Sequence, residues 1–185
     1  MLLNLSLILY FATLFYVIKM VVKLVQCKGK EPPFISSFGQ VKKEVLKEAE
    51  AFLRENPNIK VTDLGCGSGC LLTPLARKFK NSVFVGYEYD VLPYLIAKIK
   101  SLFFKNVIIY KRDFFKADLS EYKLVLCYLG NELAPKVAEK LNADLKKDAL
   151  VISEVFRIPG LKQIKEIKSF LAFKDFNVFV YKPKK

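Results

Sequence analysis

Residues 63–69 read D-L-G-C-G-S-G and follow directly on the apolar run Ile59-Lys60-Val61-Thr62. Glycines let a chain bend sharply out of a strand and let a ligand come close to the backbone. A helix opening after such a turn points free N–H groups at that ligand. A second apolar run, Val83-Phe84-Val85-Gly86-Tyr87, is closed by Glu88. Glu88 stands at the spacing of about twenty residues expected of an acid that accepts both hydroxyls of a ribose. Glycine turn and acid together specify a nucleoside site.

The details separate two kinds of nucleoside. A dinucleotide fingerprint is G-x-G-x-x-G, but Gly65, Gly67 and Gly69 give G-x-G-x-G, with Cys70 where the third dinucleotide glycine would fall. Asp63 precedes the first glycine, and a carboxylate is poorly placed beside a pyrophosphate because like charges repel. It suits a ligand carrying positive charge, such as the ammonium and sulfonium of S-adenosylmethionine. These residues resemble motif I of the class I, seven-strand methyltransferases, with Glu88 matching their ribose acid. The resemblance implies S-adenosylmethionine as cofactor, held by Asp63, Leu64, Gly65, Cys66, Gly67, Gly69, Glu88 and Tyr89.

The elements that must position these groups alternate regularly. Val41, Val45, Leu46, Ala49 and Leu53 fall at helical spacing and predict a helix over about 38–55, ended by Asn56-Pro57-Asn58. Strands are predicted at about 59–64, 82–88, 107–110, 124–128 and 149–156. Helices are predicted between them at about 69–79, 93–104 and 132–145, with Pro74, Pro93 and Pro135 tolerable near first turns. Such alternation predicts an α/β, Rossmann-like fold: a mostly parallel sheet with helices on both faces. Beyond Gly160, Leu161, Ile164 and Ile167 point to a helix, although a strand remains open there. Asn177–Tyr181 reads as an antiparallel strand at the sheet's end.

Ligands of open α/β sheets bind at the carboxyl ends of the strands. Segments 63–69, 88–90, 113–114 and 128–132 converge there. In class I methyltransferases the acid after the third strand accepts from the adenine amino group, and the resemblance places that role on Asp113. Phe114 can pack on the adenine face; the alternative for Asp113 is a loop acid or helix cap. Tyr128, also expected to line the cofactor site, joins Asn131 and Glu132 as candidates for the catalytic end. The [D/N/S]-P-P-[Y/F] motif of nucleobase amino-methylating enzymes is missing at this place. The chain instead resembles the membrane-associated lysine methyltransferases of the ATP synthase c-subunit and the adenine nucleotide translocase, with their prokaryotic relatives. The residues that carry this are Pro33-Phe34-Ile35-Ser36-Ser37, Gly86-Tyr87-Glu88, Arg112-Asp113, Phe156-Arg157-Ile158-Pro159 and an apolar N-terminal segment. The resemblance implies methyl transfer to a protein lysine, with Phe34, Ser36 and Ser37 closing the substrate side. Relatives often carry an acid where Ser68 stands.

Composition sets the context. The chain has 185 residues, is 52% hydrophobic and contains no histidine, so proton removal must use water, a carboxylate or a tyrosine. Met1–Ile18 carries no charged side chain. Continued to Val25, a helix there would run about 37 Å at ~1.5 Å per residue, against a hydrocarbon core of about 30 Å. Neither a basic start with a small-residue cleavage site nor a small residue before Cys27 is present. The expectation is therefore an N-terminal transmembrane helix over 1–26 and a methyltransferase domain over 31–185. Lys19, Lys23, Lys28 and Lys30 follow the apolar stretch, which predicts a single pass with the domain in the cytoplasm.

Net charge is +13. With such an anchor, anionic lipid fits this charge better than nucleic acid, and no aromatic RNA-stacking motif is present. A membrane-embedded or membrane-associated protein is the expected substrate. A lysine-rich solvated surface also accounts for part of the excess. Cys27, Cys66, Cys70 and Cys127 match no zinc or redox spacing, and small, reduced, packed side chains are the expected roles.

Overall fold

A computed structural model describes residues 2–26, 39–171 and 174–184. The chain divides into two compact units, Met1–Ile35 and Ser36–Lys185. In the first, α1 spans Leu2–Gln26. Its described side chains, those of residues 6–18, are all exposed. Among the described residues, no helix is long and apolar enough to cross a membrane. The transmembrane element of the expected fold is therefore not found.

The second unit carries α2 (Gly39–Glu55), β1 (Lys60–Leu64), α3 (Leu72–Lys78), β2 (Val83–Glu88), α4 (Val91–Ser101) and β3 (Val107–Lys111). After a 3-10 turn at Phe114–Lys116 follow β4 (Tyr122–Cys127), α5 (Ala134–Asp144), β5 (Leu150–Glu154), β6 (Lys162–Leu171) and β7 (Lys174–Lys182). One seven-stranded sheet has the order β3-β2-β1-β4-β5-β7-β6. β1 to β5 are parallel, and β7 runs antiparallel to both β5 and β6. β7 thus lies inside the sheet rather than at its end, and β6 is the edge.

Each sheet face has its own core. Val41, Val45, Ala49 and Leu53 of α2, with Leu72 and Leu75 of α3 and Ala97 of α4, bury Val61, Phe84, Leu124, Leu126 and Ile152. On the other face α5 places Val137, Ala138 and Leu141 against Leu64, Val125, Cys127 and Val151. Both faces carry helices, as expected. A central strand flanked this way must be apolar on both sides, and Leu124–Cys127 is buried throughout.

The open reading beyond Gly160 resolves to a strand. The register slips between Gln163 and Lys165, which leaves Ile164 as an extra, half-exposed residue. Such a bulge flips the side-chain alternation. Leu161 consequently packs into one core and Ile167 against the other. A bulge at this point mimics the three-residue spacing of a helix.

Candidate cofactor site at the ends of the central strands

Strand order reverses between β1 and β4, since β2 and β3 lie to one side and β5 to the other. This switch point is where open α/β sheets leave a crevice at their strand ends. The register brings the ends together: Leu64 pairs with both Tyr87 and Cys127, and Cys127 with Ser153.

The glycine turn leaves β1 in a conformation that ordinary side chains disfavour. Gly65, Gly67 and Gly69 have φ of 78°, 55° and 72°, a region glycine adopts without steric cost. The N–H groups of Gly65 and Cys66 both donate to Tyr87 O at 2.9 Å, which ties the turn to β2. A Cβ on Gly65 would lie 3.4 Å from Leu129 Cδ2, so the segment after β4 packs on the turn. α3 begins at Leu72, later than sequence spacing indicates, because turns fill 67–71. Pro74 sits in its first turn, where no intrahelical N–H is needed.

Glu88 is buried and faces this turn. Its Oε2 accepts from Gly67 N–H and its Oε1 from Asp90 N–H, both at 2.8 Å. Each carboxylate oxygen has a second lone-pair direction to offer a ribose hydroxyl. Gly86, two residues earlier, serves packing: a Cβ there would sit 2.6 Å from Cys66 Sγ and 2.9 Å from Leu72 Cδ1 and Ile109 Cδ1. Cys66 fills that gap, and burial raises its thiol well above the usual range. Cys66 and Cys127 are buried, Cys70 is half-buried, and none of the three is in a disulfide.

Asp63 is 3% exposed. It pairs with Gly86 and Leu126 in register, so alternation puts it on the same sheet face as Glu88 and, across β4, Glu154. Burial first, then the carboxylates of Glu154 and Glu88, push Asp63 up to about 8. A buried acid flanked by like charges is relieved by a cation and made worse by an anion. The group therefore fits the ammonium and sulfonium of S-adenosylmethionine and does not fit a pyrophosphate. Glu154 was not singled out from sequence, although it closes the apolar run Leu150–Ser153 just as Glu88 closes its own. Among the described residues no cluster of His, Cys, Asp or Glu is placed to hold a metal ion.

The remaining expected residues divide. Asp113 caps the 3-10 turn, its Oδ1 accepting from Phe115 N–H at 3.0 Å, which is the capping alternative to adenine binding. Phe114 is half-buried with its ring centroid 4.4 Å from that of Phe115. Tyr89 is 77% exposed. Tyr128 is half-buried with its ring 5.4 Å from that of Phe156. Phe156 arrives there through Val155, whose φ of 68° is unusual for a β-branched residue. One backbone and one side-chain hydrogen bond hold this turn: Val155 N–H donates to Asn177 O at 2.8 Å, and Ser153 Oγ donates to Phe156 O at 2.6 Å. Asn131 and Glu132 are exposed in a turn before α5, which begins at Ala134. Glu132 is thus not the helix-start acid the sequence implied. Phe34, Ser36 and Ser37 lie outside the described residues.

A mostly parallel seven-stranded sheet with this strand order, a glycine turn and two buried acids at its switch point fit a nucleoside-cofactor enzyme of the seven-strand transferase type. Residues 63–165 match the ANTKMT methyltransferase domain. The chain belongs to that family, and it is an S-adenosylmethionine-dependent methyltransferase. It is 30% identical over 128 residues to a protein-lysine N-methyltransferase of Saccharolobus islandicus, a match covering 65% of this chain and 77% of that protein. In fold it is similar to an RNA methyltransferase from Salinibacter ruber solved with S-adenosyl-L-homocysteine: TM-score 0.65, 22% identity, covering 82% of this chain and 95% of that one. A TehB-like S-adenosylmethionine-dependent methyltransferase from Corynebacterium glutamicum gives TM-score 0.58 at 16% identity, covering 80% and 90%.

Proposed function

We propose that this chain transfers the methyl group of S-adenosylmethionine to a lysine amine on a protein. The observation that carries this reading is the likeness to the Saccharolobus protein-lysine N-methyltransferase, which extends over most of both chains. Within the chain, Gly65, Gly67 and Glu88 hold the nucleoside, and Asp63 answers its positive charge.

When bound, the cofactor supplies a sulfonium methyl group that leaves readily to a nitrogen placed in line with it. The work left to the protein is positioning and exclusion of water. An acceptor lysine must arrive neutral, against an unperturbed pKa of about 10.4. The Tyr128–Phe156 pair forms an aromatic wall at the ends of β4 and β5. Desolvation against that wall favours the neutral amine. The proton leaves to water at the rim, where the exposed Asn131 and Glu132 stand.

The N-terminal segment 1–26 extends the proposal: it tethers the domain, residues 31–185, to a membrane on the cytoplasmic side, and the substrate is a protein of that membrane. Support comes from the charge-free stretch Met1–Ile18 and the lysines that follow it. Alkaline extraction of membranes from cells expressing the full chain tests the tether: it stays with the lipid if the tether holds and is released if it does not.

Labelled methyl groups given to the full chain with a membrane-protein fraction test the transfer itself. Methyl-lysine in acid hydrolysates is the expected product. Label extracted with lipid points instead to a lipid or small-molecule acceptor. Cofactor binding without transfer to any fraction points to a non-catalytic adapter.

A further inference from the structure

α4 is an unusual helix for the outside of an α/β domain. Only Ala97 and Ser101 are buried. At about 100° per residue, Val91, Leu92, Leu95, Ile96 and Ile99 fall on one face roughly 140° wide, and every one of them is exposed. Leu102 and Phe103 continue that face past the last turn, 77% and 82% exposed. Lys98 falls at one border of the apolar face and Lys100 at the other. From Val91 to Arg112 the chain holds Lys98, Lys100, Lys105, Lys111 and Arg112 and no acid at all. A contiguous apolar stripe of this kind marks an interaction site.

We infer that the α4 face is an interfacial surface that seats the catalytic domain on anionic lipid. An amphipathic helix lies in a membrane interface with its apolar face among the acyl chains and basic side chains at its borders. Lys98 at the border and Lys105 just past the helix can reach the headgroups with their ammonium groups while their stems stay apolar, whereas the Lys100 ammonium is held by Ser68 O. Each basic group near an anionic surface adds attraction, and the segment of Lys98, Lys100 and Lys105 holds no acid between Asp90 and Asp113, which flank it. A second copy of this chain is a poorer occupant, since a face-to-face contact brings border lysines together with no acid in the segment to pair them. A peptide helix is also poorer, because side chains this exposed protrude rather than line a groove. α4 begins just after Glu88, so a domain seated this way has its cofactor end beside the lipid headgroups. This inference stands on α4 alone and does not need α1 to be a tether.

The chain contains no tryptophan, so a single introduced indole reports its own surroundings. The full chain carrying Phe103→Trp is mixed with phosphatidylcholine vesicles containing about a third phosphatidylserine, with brominated acyl chains as quencher. Ala51→Trp, at an exposed position of α2, is the control for tethering by any other part of the chain. The inference predicts a blue shift and strong quenching for Phe103→Trp, at least about threefold more than for Ala51→Trp, and a loss of most of it with Lys98→Glu and Lys105→Glu added. Lys100 is left intact because its Nζ donates to Ser68 O at the glycine turn. Equal quenching at the two positions overturns the inference, as does equal quenching with purely zwitterionic vesicles. Emission already blue-shifted before lipid is added means that protein covers the face, and also overturns it. No response to lipid leaves an acidic protein partner as the occupant and overturns the lipid reading. Unchanged S-adenosylmethionine affinity in Phe103→Trp shows the fold intact, so failure here is separable from failure of the methyltransferase reading.

Discussion

Glu88 Oε2 accepts the N–H of Gly67 at 2.8 Å across 21 residues of sequence. This bond ties Glu88 to the middle of the glycine turn, so the two halves of the proposed cofactor site are positioned by each other. The same carboxylate caps the entry to α4 through Asp90 N–H. One side chain thus orders the turn after β1 and the turn after β2 before any ligand arrives. Such prior ordering lowers the entropy that binding must offset.

Asp63 gives the site a pH dependence with a definite sign. Its carboxyl lies at about 8 in the folded chain, against 3.8 for the ordinary group. The folded state therefore holds the extra proton across that window. Stability from this group is present at low pH and falls as pH rises toward 8, by at most about 1.4 kcal/mol per unit. Denaturant unfolding at a series of pH values shows this slope, and Asp63→Asn flattens it. A cationic ligand favours the ionised acid, so binding at pH 7 releases a proton. Calorimetry in two buffers of different ionisation enthalpy measures that release, and Asp63→Asn abolishes it.

Gly86 makes a prediction about packing alone. A methyl group there meets Cys66 Sγ, Leu72 Cδ1 and Ile109 Cδ1 at 2.6–2.9 Å. Gly86→Ala is expected to cost about 1–3 kcal/mol. Cys66→Ala combined with it recovers part of that loss, a coupling of at least about 0.5 kcal/mol in a double-mutant cycle. Purely additive unfolding energies count against the contact.

The Tyr128–Phe156 pair is proposed to face the acceptor, and Phe156 tests this. Phe156→Ala is expected to lower kcat/KM for the protein substrate by about tenfold, with S-adenosylmethionine affinity changed less than about twofold. Steady-state kinetics and a cofactor titration on the same variant check both halves. Equal losses in the two would place Phe156 at the nucleoside instead.

Sequence spacing alone located the glycine turn and the acid facing it, because glycine turns and strand-closing acids are local signals. Gly65, Gly67, Gly69 and Glu88 lie within two consecutive strand–turn units, and their placement follows from backbone geometry. The acceptor end depends on contacts between distant segments. Phe156 meets Tyr128 only because a strained turn at Val155 bends back over β4, and no local pattern announces a positive φ at valine. Glu154 carried a readable signal, an acid closing an apolar run, but its effect on Asp63 appears only once β4 separates them. Ile164 misled because a bulge reproduces helical spacing. The apolar start of the chain reads as a membrane span, yet among the described residues no helix is long and apolar enough to cross. α4 shows the opposite case, since apolar periodicity announces a helix without saying which side of it meets the sheet.

The central claim is that the glycine turn, Glu88 and Asp63 hold S-adenosylmethionine. Calorimetric titration of the cofactor into the full chain, and into Glu88→Ala and Asp63→Ala, tests it most directly. The account predicts binding by the unaltered chain and a loss of about a hundredfold for Glu88→Ala, whose bonds to ligand and turn are charge-assisted. A smaller, pH-dependent loss is expected for Asp63→Ala. Binding of equal strength in all three proteins would contradict it.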